Sequence, residues 1–300
     1  MTRHTASNVY KGTGLAVLAT MIWSGNFIVA RAVFQNIPPV SLNFFRWGLA
    51  TLIIFPFAIK AFKAEWPIIR RSWHYLFWIS LFGISLFNTF VYVGAHYTSA
   101  INLALIGTTS SPVMSVLFAR IFLKEHVGWL RVGGMALCLA GVLYLLSRGD
   151  WGNLRTLQFG TGDLWVLLAA FCFAVYNTMV RKKPSGISPV PFLFTIFLLG
   201  TVLVLPFFLR EIRNVPAIHW SGQSIFAVVY LGLGASVICF WIWNIAIGWL
   251  GAGRTALFGN LIPVFSSIGA VILLQERITP VHLISFGLVV TGLVIANLKK

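Results

Sequence analysis

Charge is what this chain has least of. Only 9% of its residues are charged and six of its 300 positions are acidic, where a soluble domain carries about 25% charged residues. Apolar residues make up 58%, so water is excluded as the solvent for most of the surface. Cysteine is also scarce: Cys138, Cys172 and Cys239 each sit inside an apolar run. With no paired thiol motif, they exclude a disulfide framework and read as small packing residues. Catalytic signatures are missing too, with no His-Glu-x-x-His helix, Gly-x-Ser-x-Gly elbow, paired intramembrane aspartates or mid-span lysine that could carry retinal. A membrane enzyme would lack its reacting groups. There is no Walker-type glycine-rich loop for ATP, and no cofactor or metal is implied.

Long apolar runs are plentiful. They fall at about 12–33, 40–61, 73–94, 100–122, 127–147, 161–182, 188–209, 222–247, 252–274 and 279–298, each near the roughly 20 residues that cross about 30 Å of hydrocarbon. The reading is an all-α polytopic membrane protein of ten transmembrane helices. The first run is full length and has no clear small-residue cleavage site, so it is expected to be a retained helix rather than a signal peptide.

The chain repeats itself. An offset of 151 carries Pro112 onto Pro263, Glu125 onto Glu276, Gly141 onto Gly292 and Gly83 onto Gly234; an offset of 150 carries Trp23 onto Phe173, Arg31 onto Arg181, Thr51 onto Thr201 and Pro56-Phe57 onto Pro206-Phe207. Five spans per copy is an odd number, so the second copy enters the bilayer from the opposite side. Inverted repeats of this kind are a transporter signature. The expected organisation is a first five-helix repeat at 1–147, an external linker at 148–160 and a second, inverted repeat at 161–300. The linker is too short to form a soluble module, so function must lie between the helices.

A formal charge of +16 would suggest nucleic acid in a soluble protein, but here the positive-inside rule applies. With the N-terminus in the cytoplasm, the inner side collects Arg3, Lys11, Lys60, Lys63, Arg70, Arg71, Arg120, Lys124, Arg131, Arg181, Lys182, Lys183, Arg254, Lys299 and Lys300; the outer side has Arg31, Arg46, Arg148, Arg155, Arg210, Arg213 and Arg277. Fifteen against seven places both termini inside. The partners expected are the lipid bilayer and a small-molecule substrate, with no nucleic acid. The oligomeric state stays open, a monomer being plausible.

The strongest site signal surrounds the repeated prolines. Pro112 and Pro263 lie near the middle of their spans, where each removes a backbone hydrogen bond and kinks the helix. By the i−4 rule this frees the carbonyls of Thr108 and Gly259. Such breaks are tolerated in a bilayer only where protein or a cavity satisfies them. Polar residues flank both, among them Thr109, Ser111 and Asn260; they line a cavity or merely satisfy kinked backbone. Trp23 and Asn26 share a face of the first helix, as Phe173 and Tyr176 do of the sixth. Asn88 and Tyr92 are four apart on the third span, matched by Cys239 and Trp243 on the eighth. Asn26, Asn88, Asn177 and Asn244 should face protein or a cavity, because a lipid-facing amide is costly. Arg46, whose repeat partner is Ile196, is expected to snorkel to the outer headgroups, the alternative being attraction of a departing carboxylate. Glu276 and Glu125 are expected to favour the N-terminus of the helix that follows each. No acid lies mid-span as a proton or sodium carrier would, and His96 reads as an interfacial residue. Facilitated export is therefore expected, with proton coupling left open.

The Trp-Ser-Gly-Asn-Phe run at 23–27, the Phe-Arg-Trp at 45–47 and the repeated Pro followed by Glu thirteen residues on resemble the EamA-type branch of the drug/metabolite transporter superfamily, over essentially the whole chain. The resemblance implies a central cavity formed by the third, fourth, eighth and ninth helices, and export of amino acids or other small metabolites across the bacterial inner membrane. It carries cavity roles to Trp23, Asn88, Tyr92, Thr109, Ser111, Phe173, Trp243 and Asn260. Asymmetry at Trp23/Phe173 and Asn88/Cys239 makes a symmetric site doubtful. A lining of aromatics, amides and hydroxyls suits neutral or aromatic amino acids first and amphipathic drugs second. A scaffold or receptor that moves nothing is the reading from another class.

Overall fold

Helices begin where the sequence supplies proline. Pro39, Pro189 and Pro280 each open a helix, at the position where a missing N–H costs nothing and φ is already helical. The computed structural model describes residues 6–122, 128–150, 160–180, 182–218, 220–250, 255 and 258–297. Among the described residues there is no strand, and the helices follow in order: α1 Ala6–Ala32, α2 Pro39–Arg71, α3 Trp73–Tyr97, α4 Ala100–Phe122, α5 Trp129–Leu146, α6 Thr161–Val180, α7 Pro189–Asn214, α8 Gly222 through Leu250, α9 Ile262–Leu274 and α10 Pro280–Asn297. Six of them contain spans long and apolar enough to cross a membrane: Asn8–Ala32, Pro39–Arg71, Trp73–Tyr97, Thr161–Val180, Pro189–Asn214 and Gly222–Ala246. Large apolar side chains point outward on them, Phe57 and Phe207 at 62% and 65% exposure. Such a surface is stable against lipid rather than water. The protein is a multi-pass membrane protein.

α2 outruns its apolar stretch by about ten residues. Lys60, Lys63, Arg70 and Arg71 end the run of hydrophobicity but not the helix, since Lys and Arg are good helix formers.

α3 and α8 share a second irregularity. Each turns π-helical in its middle, at Leu81–Leu86 and Tyr230–Ile238, around Gly83 and Gly234. Extra-residue turns of this kind recur at functional sites. Tight neighbours account for the first glycine: a Cβ at Gly83 would lie 2.1 Å from the Tyr176 ring.

Helix contacts come in reciprocal pairs. α1 packs on α8 and α3 on α6; α4 packs on α6 and α1 on α9; α2 meets α7, α4 meets α9 and α5 meets α10. At the α5–α10 crossing, a Cβ at Gly134 would lie 2.4 Å from the Gly292 carbonyl, while one at Gly141 would lie 2.9 Å from that of Ser285. Between these two contacts the Cys138 thiol donates to the Val289 carbonyl at 3.5 Å. Thr51 and Thr201 likewise face each other across α2 and α7, 3.5 Å between hydroxyls. Small residues let helix backbones approach in lipid, where dispersion rather than the hydrophobic effect drives association. All three cysteines are free and buried.

Carboxylates hold helix starts across the sequence. Glu65, near the end of α2, accepts from the amide of Ser188 at 2.9 Å and from its hydroxyl, just before α7. Glu211, near the end of α7, accepts from the amides of Val40 and Ser41 at 3.2 and 2.6 Å, at the start of α2. Glu276 accepts from the amides of Ala100 and Ile101 at 2.7 and 3.1 Å. The helix that Glu276 serves is therefore α4, not the α10 that follows it, as the sequence suggested. The reason is local: Gln275 sits at φ 57°, so the chain reverses as α9 ends and delivers the carboxylate sideways. Glu125 lies outside the described residues.

Candidate functional site

Arg46 lies two turns into α2, about 10 Å along its axis from Pro39, yet it is only 5% exposed. The expectation that it snorkels outward is not met. Rotation about the helix axis decides: Asn43, Arg46, Trp47 and Ala50 share the face of α2 that turns inward, and all are buried. The guanidinium is held by neutral oxygens from three other helices. Its Nη1 donates to Asn26 Oδ1 on α1 at 2.7 Å, and to Asn88 Oδ1 and Tyr92 Oη on α3 at 2.8 and 2.7 Å. Nε donates to Ser236 Oγ on α8 at 3.0 Å. Tyr92 donates in turn to Asn26 Oδ1 at 3.1 Å, and Ser236 donates to the Leu231 carbonyl at 2.9 Å, across the π-turn. Three of the residues singled out from sequence, Asn26, Asn88 and Tyr92, thus meet at a fourth that was read otherwise.

The electrostatics of this cluster are one-sided. An arginine at a span's centre costs about 2.5–3.5 kcal/mol on insertion scales, and a hydrogen bond to a charged group returns about 1.5–3 kcal/mol. Four neutral acceptors therefore stabilise the cation without cancelling it. Among the described residues, no carboxylate is a partner of Arg46. The neighbouring Trp47 ring lies 4.7 Å from the guanidinium carbon and 4.7 Å from the Phe197 ring. Among the described residues, its buried indole Nε1 has no acceptor and the buried Asn43 Oδ1 has no donor. The Asn43 amide nitrogen donates to the Ser85 carbonyl and to Thr89 Oγ1 at 2.9 and 2.8 Å.

The remaining candidates form other groups. Trp23 donates from Nε1 to the Ala235 carbonyl at 2.9 Å, and its ring lies 5.0 Å from Trp243 and 5.9 Å from Phe240. Phe173 stacks on Phe87 at 4.5 Å and on Tyr176 at 5.5 Å. Trp23 packs against the core that contains Tyr92, Phe173 against the core that contains Trp47 and Phe197. Thr109 and Ser111 on α4 are 1% and 2% exposed, with hydroxyls that meet no partner among the described residues. Thr108, by contrast, donates back to the Ala104 carbonyl at 2.7 Å.

The two prolines differ. α4 runs through Pro112 as helix, whereas Pro263 sits in the first turn of α9 behind a 3-10 turn at Gly259–Leu261 that contains Asn260. The Gly259 carbonyl, expected to be free, accepts from the amide of Ile262. The 3-10 turn moves the break to the helix start and satisfies it there. The side chains of Pro112 and Asn260 are outside the described residues. Asn244 is exposed, its amide turned back on the Phe240 carbonyl at 2.7 Å, rather than facing protein as expected. Ser236 and Asn43 were not singled out from sequence, and Trp47 entered only as part of the Phe-Arg-Trp run; an arginine two turns into an apolar span, near the level of two asparagines on other spans, was the available signal.

The sequence pattern of the EamA-like transporter family matches residues 10–147 and again 160–298. The chain belongs to that family. Similar proteins include an uncharacterized transporter of Bacillus subtilis, 27% identical over 267 residues that cover 87% of this chain and 84% of the relative. A probable amino-acid metabolite efflux pump of Escherichia coli is 24% identical over 289 residues, covering 94% and 93%. One solved crystal structure superposes with a TM-score of 0.64 at 20% identity, covering 95% of this chain and 96% of that one, which shows a shared fold. In this EamA-like transporter Asn26, Arg46, Asn88, Tyr92 and Ser236 meet between α1, α2, α3 and α8.

Proposed function

We propose that this chain exports small metabolites from the cytoplasm by alternating access, foremost neutral or aromatic amino acids, through a path between two inverted five-helix halves at 1–147 and 161–300. The reciprocal contacts carry this reading: Gly134 against Gly292 answers Gly141 against Ser285, with Cys138 and Val289 between them. Each residue of one contact maps onto the other at an offset of 151, as expected where a pseudo-twofold axis relates two halves. The family pattern, matched once in each half, supports the same division. The relative named as an amino-acid metabolite efflux pump supports the substrate class, and amphipathic drugs remain the second reading. The count of cations on the loops supports cytoplasmic termini.

Four of the acids among the described residues are engaged as acceptors at helix starts, which supports transport without proton coupling. Glu65, Glu211 and Glu276 hold helix starts, and Asp163 accepts from Thr98 at the start of α6. The test is counterflow of labelled amino acids in liposomes of purified protein, with and without an imposed pH gradient. Exchange of a neutral or aromatic amino acid at a rate unchanged by the gradient is expected. Silence across the panel from folded protein contradicts amino-acid export, and a severalfold response to the gradient contradicts facilitation.

A further inference from the structure

We infer that Arg46 and Trp47 form the anchor for a carboxylate on the transported molecule. The inference rests on the transport reading above and names the chemistry its substrate must carry. Around Nη1, three oxygens lie within 2.8 Å, but this nitrogen has only two hydrogens to give. One of the three contacts is therefore surplus and can be exchanged. Nη2 takes part in none of the four bonds, so one edge of the guanidinium fork has donors to spare. A carboxylate on Nη1 and Nη2 would make the paired, parallel hydrogen bonds that arginine favours, and would supply the negative charge that Asn26, Asn88, Tyr92 and Ser236 do not.

A second observation points the same way. Trp47 Nε1 is a donor on a residue only 2% exposed, and among the described residues it has no acceptor. Buried donors are nearly always paired. Its ring lies against the guanidinium, so a donor without an acceptor and a cation without an anion share one place in the fold. A structural clamp would explain the four bonds of Arg46 to three other helices, but not the open indole beside it. At the corresponding place in the second half stands Ile196, so the anchor is single and the substrate is held by one end.

The test uses the full chain, purified in detergent, and its thermal midpoint. The probes are phenylalanine, leucine, alanine and 3-phenylpropionate, each set beside its amide. Carboxylates are expected to raise the midpoint by several degrees and amides to leave it unchanged. Arg46→Gln should abolish the shift, and Arg46→Lys, which keeps the charge but loses the fork, should need at least tenfold more ligand. If Arg46→Gln does not fold, Trp47→Phe decides, because it keeps the ring and removes the donor: tenfold weaker carboxylate binding supports the anchor and unchanged binding overturns it. Amides acting as well as acids, no carboxylate acting, or a shift retained in Arg46→Gln would each overturn it as well. The liposome assay separates the two claims. Flux of an amide without carboxylate binding overturns the anchor and keeps transport; carboxylate-specific binding lost in Arg46→Gln, without flux, keeps the anchor and overturns transport.

Discussion

A Gly292→Ile protein is expected to lose its assembled fold, read as a fall in monodisperse yield and a thermal midpoint lowered beyond measurement. A Cβ at Gly292 would lie 2.5 Å from the Gly134 carbonyl oxygen and 2.8 Å from the Cys138 amide nitrogen. Both are backbone atoms of α5, which cannot rotate away as a side chain can. Overpacking of an ordinary core costs about 1–3 kcal/mol, and here the helices themselves must separate. Gly287, on the same helix, has open space where its Cβ would be. A Gly287→Ile protein should therefore purify and melt like the parent. Equal behaviour of the two variants would contradict the crossing described here.

The second large effect is expected at Asn88. Replacing it with Leu keeps much of the volume but removes one of the acceptors around the Arg46 guanidinium, at a position only 1% exposed. Asn26 and Tyr92 still serve the two Nη1 hydrogens, but an apolar group now stands beside a buried cation, with the worth of a hydrogen bond to a charged group, about 1.5–3 kcal/mol, as the upper bound of the cost. Flux is expected to fall by about tenfold or more together with a lower thermal midpoint. Asn244→Leu is the control, because that amide is exposed and, among the described residues, bonds within its own helix; it should retain flux within about twofold. Full flux in Asn88→Leu would mean that the cluster is neither a clamp nor part of the path.

Much of this structure was legible in the sequence, and the failures share a cause. Apolar run length located the helices, and proline located several of their starts, because both are one-dimensional properties of the chain. The end of α2 was missed by about ten residues, since the run of apolar residues marks the bilayer and the helix continues past it. The contacts of Gly141 and Gly292 follow from repeated glycines that the offset exposes. Arg46 was misread because depth along a helix can be counted from sequence, whereas the direction a residue faces around the axis depends on what packs beside it. Glu276 shows the same limit: its position near the end of α9 was plain, but the helix it caps is set by the turn at Gln275. Asn26, Asn88 and Tyr92 were found because a polar group in an apolar span must have a partner; which partner was not written in any one span.

The proposed alternating access makes one demand of this conformation: the start of α4 must part from α9 and α10. The contacts there are Glu276 on the amides of Ala100 and Ile101 and His282 Nε2 against Asn102 Oδ1 at 3.2 Å. The decisive measurement is counterflow by an Asn102→Cys/His282→Cys protein, before and after a short bifunctional thiol reagent, with Cys138, Cys172 and Cys239 replaced by Ala in the parent. The account predicts that cross-linking stops exchange, while the reagent leaves either single-cysteine protein active. Undiminished exchange by fully cross-linked protein would contradict it.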